Sequence, residues 1–341
     1  MSRHWMTVAM CGGLLVGACA RSEPTSTPTT AVEITTMPET TMPDTTQPDT
    51  TVTVAPAVAA IGTTVEGSIV TADGRTRTYR LYTPSTVPEG PVPLLVALHG
   101  GTGWGAQFQR TSGFDGLAEA NGFLVVFPDG IGIGADGTQM RTWNAGYCCG
   151  PAVRENVDDV AFIDALIDAI GAEHDIDDAR VFAAGHSNGG MLSYRLACEL
   201  SDRIVAVGVQ SGSLGVEPCA PSRPVSLLHI HGSEDRNHPI EGGEGSVSIS
   251  GVSYRSAMSS VELMAAGVGC GEASASAERG DLRVTTWSGC DGVEVQLLAV
   301  TGASHAWMGH PAPNPSADPP YQGIDSSVEI LTFLLNHPRA N

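Results

Sequence analysis

The chain has 341 residues, 42% of them hydrophobic, enough for a sizeable buried core. Its 17 cationic residues, all arginine, face 37 carboxylates, for a formal charge of −20. That field excludes a nucleic-acid binder, because a phosphate backbone calls for a basic footprint. No internal stretch approaches the ~18 uninterrupted apolar residues of a membrane-spanning helix, which excludes a polytopic membrane protein.

Residues 1–18 have the pattern of an export signal: Arg3 and His4, an apolar run from Trp5 to Ala18, then small residues. The end of the run, Val16-Gly17-Ala18-Cys19, resembles the lipobox of bacterial lipoproteins. The resemblance implies cleavage before Cys19, diacylglycerol on its sulfur, and attachment to the membrane at the cell envelope. Free secretion is the alternative, because Ala18-Cys19-Ala20 also fits an A-x-A cleavage site. Residues 19–60 are expected to be a disordered stalk. Between Ser22 and Pro56, 13 of 35 residues are Thr and 6 are Pro, with a five-residue repeat beginning at Thr35. So little apolar surface cannot offset the entropy of ordering, and regular Pro favours an extended, semi-stiff chain.

Residues 61–341 have the length of one α/β domain, and their 15 Arg against 32 carboxylates keep it acidic. Thr78–Tyr82 and Pro93–Leu98 are strand-like, the second ending in the turn His99-Gly100-Gly101. A helix over Phe114–Ala120 precedes a strand over Phe123–Phe127. Residues 131–155 show little periodicity and carry Trp143, Tyr147, Cys148 and Cys149; they are read as a loop over the ligand edge. Val157–Ile170 is an amphipathic helix, Arg180–Ala184 a buried strand and Asn188–Leu200 a helix. Strands follow over Ile204–Val209 and Pro224–Ile230, a helix over Val252–Ala266, a strand over Val293–Val300 and a helix over Ser326–Leu335. Alternating strands and helices, with mostly apolar strands, predict a mostly parallel, doubly wound sheet covered on both faces.

Gly185-His186-Ser187-Asn188-Gly189 fits G-x-S-x-G between a predicted strand and a predicted helix, the context in which that motif presents a nucleophilic Ser. Ser needs a base, and in such a sheet the order is Ser, acid, His. Asp235 follows the strand ending at Ile230, and His305 follows the strand ending at Val300. His305 is therefore the expected base and Asp235 its orienting acid. Glu234 and Asp129 compete for the acid; His310 and His238 compete for the base. His186 and His99 are read as structural. The oxyanion donors are expected to be the N–H of Asn188 and one from Gly101 or Thr102.

The blocks Leu98-His99-Gly100-Gly101, Trp143-Asn144-Ala145-Gly146, Cys148-Cys149-Gly150, Val157-Asp158-Asp159-Val160, Gly185-His186-Ser187-Asn188-Gly189-Gly190-Met191, His231-Gly232 with Asp235, and Gly302 with His305-Ala306-Trp307 together resemble one branch of the α/β hydrolases. It is the polyhydroxybutyrate-depolymerase and feruloyl-esterase branch, within carbohydrate esterase family 1. The resemblance implies the α/β-hydrolase fold, and its nucleophile, acid and base fall on Ser187, Asp235 and His305. It implies a secreted ester hydrolase acting on hydroxycinnamoyl or acetyl esters of polysaccharide, or on hydroxyalkanoate oligomers. Met308 stands where many relatives have Pro. A non-catalytic cell-surface binding lipoprotein and a serine peptidase are the alternative functions.

Trp143, Trp307 and Trp104 are candidates for an aromatic wall around an acyl group. Six cysteines follow the signal and Cys19, an even number that suggests disulfides in an exported domain. Cys270 with Cys290 is the local pairing. Cys148 and Cys149 are expected to reach Cys198 and Cys219 rather than each other. No spacing matches a zinc site and no phosphate or dinucleotide fingerprint precedes a helix, so neither metal nor cofactor is expected.

Overall fold

The computed structural model describes residues 51–134, 137–290 and 292–340. The expected signal, Cys19 and the stalk as far as residue 50 lie outside these residues. In chain order the described part opens with β1 (Thr63–Val70), β2 (Thr76–Thr83), β3 (Val92–Leu98), α1 (Gly105–Ser112), α2 (Phe114–Asn121) and β4 (Leu124–Pro128). A hairpin of β5 (Ile131–Ile133) and β6 (Gln139–Thr142) leads to the short α3 (Gly150–Arg154). Then come α4 (Asp159–Gly171), β7 (Ile176–His186), α5 (Asn188–Glu199), β8 (Ala206–Gln210) and β9 (Ser226–Gly232). The two-residue strands β10 (Gly243–Glu244) and β11 (Ser253–Tyr254) pair with each other. The chain closes with α6 (Ala257–Gly267), β12 (Ala273–Arg279), β13 (Leu282–Trp287), β14 (Val295–Val300) and α7 (Ser326–Asn336).

Ten strands form one sheet in the order β1-β2-β4-β3-β7-β8-β9-β14-β13-β12. The six from β4 to β14 run parallel, and antiparallel pairs extend both edges. Side chains alternate across the sheet, so β3 feeds two cores. Leu94, Val96 and Leu98 pack with α4, α5 and α6, while Leu95 and Ala97 pack with α1, α2 and α7. Three helices begin at side-chain caps: Asp158 accepts the N–H of Ala161, Ser256 that of Ser259, and Asp325 those of Ser327 and Val328.

The strand order reverses at β3, which has β4 on one side and the later β7 on the other. Ligands in such sheets bind beyond the carboxyl ends of the strands at this switch. The turn His99-Gly100-Gly101 and the Ser187 turn are the two chain segments that leave the sheet there.

Residues 52–58, expected to lie in the stalk, dock on the domain. Asn336 brackets the peptide groups of Val52, accepting its N–H at 2.5 Å and donating to its carbonyl at 3.0 Å. Asn121 does the same for Ala55, at 2.7 and 3.0 Å. Val58 donates to the Gly116 carbonyl at 3.1 Å. Composition did not reveal this docking because it runs through main-chain hydrogen bonds, which any residue type can make.

Candidate active site

Strand β7 ends at His186 and α5 begins at Asn188, so Ser187 alone makes the turn, at φ 54° and ψ −120°. A positive φ at a non-Gly residue is strained and persists only where the surroundings enforce it. Here they do. The Ser187 N–H donates to the Gln210 carbonyl at 2.8 Å. A Cβ at Gly189 would strike the Leu98 carbonyl, and one at Gly185 the backbone of Gly189. Only glycine lets the helix start this close to the sheet.

His305 Nε2 lies 2.9 Å from Ser187 Oγ, and His305 Nδ1 lies 2.7 Å from Asp235 Oδ2. A carboxylate can only accept, so Nδ1 carries the proton and Nε2 is left bare toward the hydroxyl. The other oxygen, Asp235 Oδ1, accepts the N–H groups of Asn237 at 2.9 Å and His238 at 2.7 Å. Burial alone would raise the Asp235 carboxyl. The His305 charge and hydrogen bond, with the nearby His231 ring, outweigh it and hold the group well below the ordinary carboxylate range.

The competing residues are occupied elsewhere. Glu234 is exposed. Asp129 accepts from Gly105 N–H and the Thr78 hydroxyl, at 2.8 and 2.7 Å. His310 pairs with Asp325 at 3.0 Å, and His238 stacks on Tyr254 with ring centroids 3.8 Å apart. His99 meets Gly130 N–H at 3.0 Å, and His186 meets the His305 carbonyl at 2.7 Å. Burial pushes His99 down to about 4 and His186 down to about 3, so both are neutral spacers at neutral pH.

Asn188 opens α5, so its N–H is one of the donors a helix leaves unpaired, at the end where the helix dipole favours negative charge. The Thr102 N–H is taken by the Arg141 carbonyl at 2.7 Å, which removes it as the second donor. Gly101 remains, packed so that a Cβ on it would touch the Asn188 Cβ at 3.7 Å.

A cavity of about 980 Å³ opens over Ser187. Its lining includes Phe108, Tyr147, Tyr254 and Trp307, and part of the 131–155 stretch. Of the expected aromatic wall, only Trp307 is present. Trp143 is fully buried beneath, donating from Nε1 to the His99 carbonyl at 2.9 Å. An indole N–H inside a protein must find an acceptor, and that requirement turned the ring inward. Trp104 caps α1 at 40% exposure, outside the cavity.

The disulfides are Cys148–Cys149, Cys198–Cys219 and Cys270–Cys290. The local pair agrees with expectation, but the other four cysteines do not cross-link as expected. Cys198 is near the far end of α5, and ten helical residues at ~1.5 Å each carry it about 15 Å from the Ser187 turn. It closes on Cys219 there, leaving Cys148 and Cys149 joined at the cavity wall.

Several supporting residues escaped the sequence reading. Gln210 donates from Nε2 to the Ala306 carbonyl at 2.8 Å and accepts the Met308 N–H at 3.2 Å, so it brackets the His305 loop. Arg77 and Asp159 form a buried ion pair at 2.7 Å, and Asp159 also accepts the Asn144 N–H at 2.7 Å. Strand β9 carries His229 and His231 on one face, a two-residue spacing of polar rings in an otherwise apolar strand that was a readable signal.

A ten-stranded sheet with a parallel centre, helices on both faces and a Ser on the strand-to-helix turn define the α/β-hydrolase fold. An acetyl xylan esterase from Aspergillus awamori superposes with a TM-score of 0.53 at 16% identity, over 71% of this chain and 94% of that one, a likeness of fold. Residues 77–241 match the family described as esterase PHB depolymerase. That match and relatives named as esterases make the chain similar to the polyhydroxybutyrate-depolymerase and feruloyl-esterase family. NocK of Nocardia uniformis subsp. tsuyamanensis, a protein with an esterase name, is 32% identical over 54% of this chain and 52% of its own length. Feruloyl esterase B of Piromyces equi is 30% identical over 63% of this chain and 39% of its own length. The chain thus spans about half or less of these curated relatives. Among the described residues, no helix is long and apolar enough to cross a membrane.

Proposed function

We propose that the protein is an exported serine carboxylic ester hydrolase that works through an acyl-enzyme. The observation that carries this reading is the continuous line Ser187 Oγ, His305, Asp235, with contacts of 2.9 and 2.7 Å. In the proposed reaction Ser187 Oγ attacks the ester carbonyl while His305 Nε2 takes its proton. The N–H groups of Asn188 and Gly101 receive the charge that develops on the carbonyl oxygen. His305 then gives the proton to the departing alcohol. A water, deprotonated by His305, attacks the acyl carbonyl, and His305 returns that proton to Ser187 Oγ as the carboxylic acid leaves. Asp235 fixes the tautomer and stabilises the imidazolium between these steps.

The substrate in this reading is an ester of modest size: a feruloyl or acetyl ester, or a short 3-hydroxyalkanoate oligomer. The cavity volume and its aromatic lining support it, as do the names of the relatives. Three disulfides support an oxidising compartment, and Cys19 would carry the lipid that holds the protein at the envelope.

Ser187→Ala should lower turnover of p-nitrophenyl acetate by on the order of a million-fold without changing the melting temperature. A fluorophosphonate probe should label the parent and not the variant. An unchanged rate would overturn the reading. Relative turnover of methyl ferulate, acetylated xylan and 3-hydroxybutyrate oligomers identifies the ester.

A further inference from the structure

Under the Asp235 loop lies a line of buried side chains that the proposed reaction does not touch. The Tyr194 hydroxyl on α5 is 2.7 Å from His229 Nδ1, and His229 Nε2 is 2.9 Å from His231 Nδ1. His231 Nε2 is 2.7 Å from the His238 carbonyl and 3.5 Å from Asp235 Oδ2. Tyr194, His229 and His231 are all fully buried.

The far end sets the direction of every proton. A carbonyl only accepts, so His231 Nε2 carries a hydrogen. Neutral His231 then has a bare Nδ1, which takes the N–H of His229 Nε2. His229 Nδ1 is bare in turn and takes the Tyr194 hydroxyl. Burial holds His229 well below, and Tyr194 well above, their ordinary values, so both stay neutral. The three hydrogens therefore all point toward the Asp235 loop, and aligned hydrogen bonds in a low-dielectric interior polarise one another.

The loop they meet is the one that holds the acid. The same His238 that accepts from His231 donates its N–H to Asp235 Oδ1. An apolar residue at 231 would fit the pattern of Leu227, Leu228 and Ile230 on the same strand, so two buried imidazoles are not required to make β9. We propose that His231 is a positioning residue: oriented by His229 and Tyr194, it pins residues 235–238 so that Asp235 presents Oδ2 to His305. This rests on the serine-hydrolase reading above.

The titratable groups around His231 and the acid are Tyr194 from α5, His229 from β9, Asp235 and His238 from the following loop, His305 from the loop after β14, and His186 at the end of β7. In that setting a loosened Asp235 gives the imidazolium form of His305 less support. The test is kcat, KM and the pH profile of kcat/KM on p-nitrophenyl acetate for full-length Tyr194→Phe, His231→Gln and His231→Leu, each checked by thermal melting. His231→Leu should lower kcat ~10- to 100-fold, the scale of a small misplacement. KM should stay unchanged and the acid limb should move to lower pH. His231→Gln keeps a donor for the His238 carbonyl and should recover most of kcat. Tyr194→Phe should show a smaller loss with the same displacement of the limb. A folded His231→Leu with parental kcat, or with reduced kcat and an unmoved acid limb, would overturn the proposal. If His231→Leu does not fold, an unmoved limb in Tyr194→Phe overturns it. Ser187→Ala run in parallel separates the two readings: full activity there removes the hydrolase assignment itself.

Discussion

The Asn188 side chain brackets the backbone of Trp143: Oδ1 accepts its N–H at 2.7 Å and Nδ2 donates to its carbonyl at 3.1 Å. The residue after Ser187 thus holds the cavity wall with its side chain while its main-chain N–H is the proposed oxyanion donor. Both partners on Trp143 are buried. Asn188→Ala would strand the Trp143 N–H, at about 1–3 kcal/mol, while the carbonyl keeps the Cys149 N–H at 3.0 Å. Asn188→Asp keeps the acceptor but sets an oxygen against the Trp143 carbonyl, and should be at least as destabilising at neutral pH. Urea midpoints of the two variants check this; a parental midpoint for Asn188→Ala would show that the wall is held without the clamp.

Gln210 joins Ser187 to the His305 loop, the proposed nucleophile and base. Its carbonyl takes the Ser187 N–H, and its side-chain amide spans Ala306 and Met308 on either side of Trp307. Gln210→Leu conserves volume and removes both side-chain contacts. It should lower kcat by up to ~100-fold with little change in KM, because the base shifts while the cavity does not. Steady-state kinetics would decide it, and an unaltered kcat would show that the His305 loop keeps its place unaided.

The Arg77–Asp159 pair is almost completely buried, with Arg77 stacked 4.0 Å over the Phe162 ring. Asp159→Asn would strand the guanidinium charge and should cost about 3–5 kcal/mol. Replacing both partners together, Arg77→Met with Asp159→Leu, should cost much less than that single change, since no charge is then left alone. Chemical unfolding of the two variants gives the comparison; equal losses would contradict the argument.

Acid should weaken the fold through its buried histidines before the carboxylates titrate. His99 and His186 are held at about 4 and about 3 by burial, while the unfolded chain binds those protons near pH ~6.5. A depressed folded value means full stability above the unfolded value, lost as pH falls toward the folded one. Each such group contributes a slope of about 1.4 kcal/mol per pH unit in that window. The urea midpoint should therefore decline from about pH 6.5 downward, with Asp235 adding to the loss below its ordinary range of ~4. A flat midpoint down to pH ~5 would mean these rings take up protons without unfolding.

The alternation of apolar strands with amphipathic helices made the parallel centre of the sheet legible. β3, β8 and β9 are wholly buried, as is β7 from Val181 to Gly185, so their composition is dictated by the core. The edges were not legible for the converse reason. β1 is largely exposed and reads TTVEGSIV, β12 reads ASASAER, and α1 contains one large apolar residue, Phe108. Such segments take their structure from a neighbouring strand or helix, which no local pattern records. In the site, Ser187, Asp235 and His305 could be proposed from sequence because each lies within five residues of a strand's end, and chain order is written in the sequence. The aromatic wall failed because a Trp carries no mark saying which way it faces: Trp143 and Trp104 had the same standing as Trp307. The vicinal pairing of Cys148 with Cys149 was missed because it depends on where Cys198 lies along α5, a distance that spacing alone does not reveal.

Ser187, Asp235 and His305 leave the sheet from β7, β9 and β14, and β8 fills the gap between the first two. The constellation therefore spans more than a hundred residues and does not exist in any fragment of the sheet. During refolding, secondary structure can return segment by segment, but the proposed ester cleavage can return only after β14 has paired with β9, a late event for contacts so distant along the chain. Regained turnover is then a clock for completion of the sheet, and it should run behind the far-ultraviolet dichroism signal.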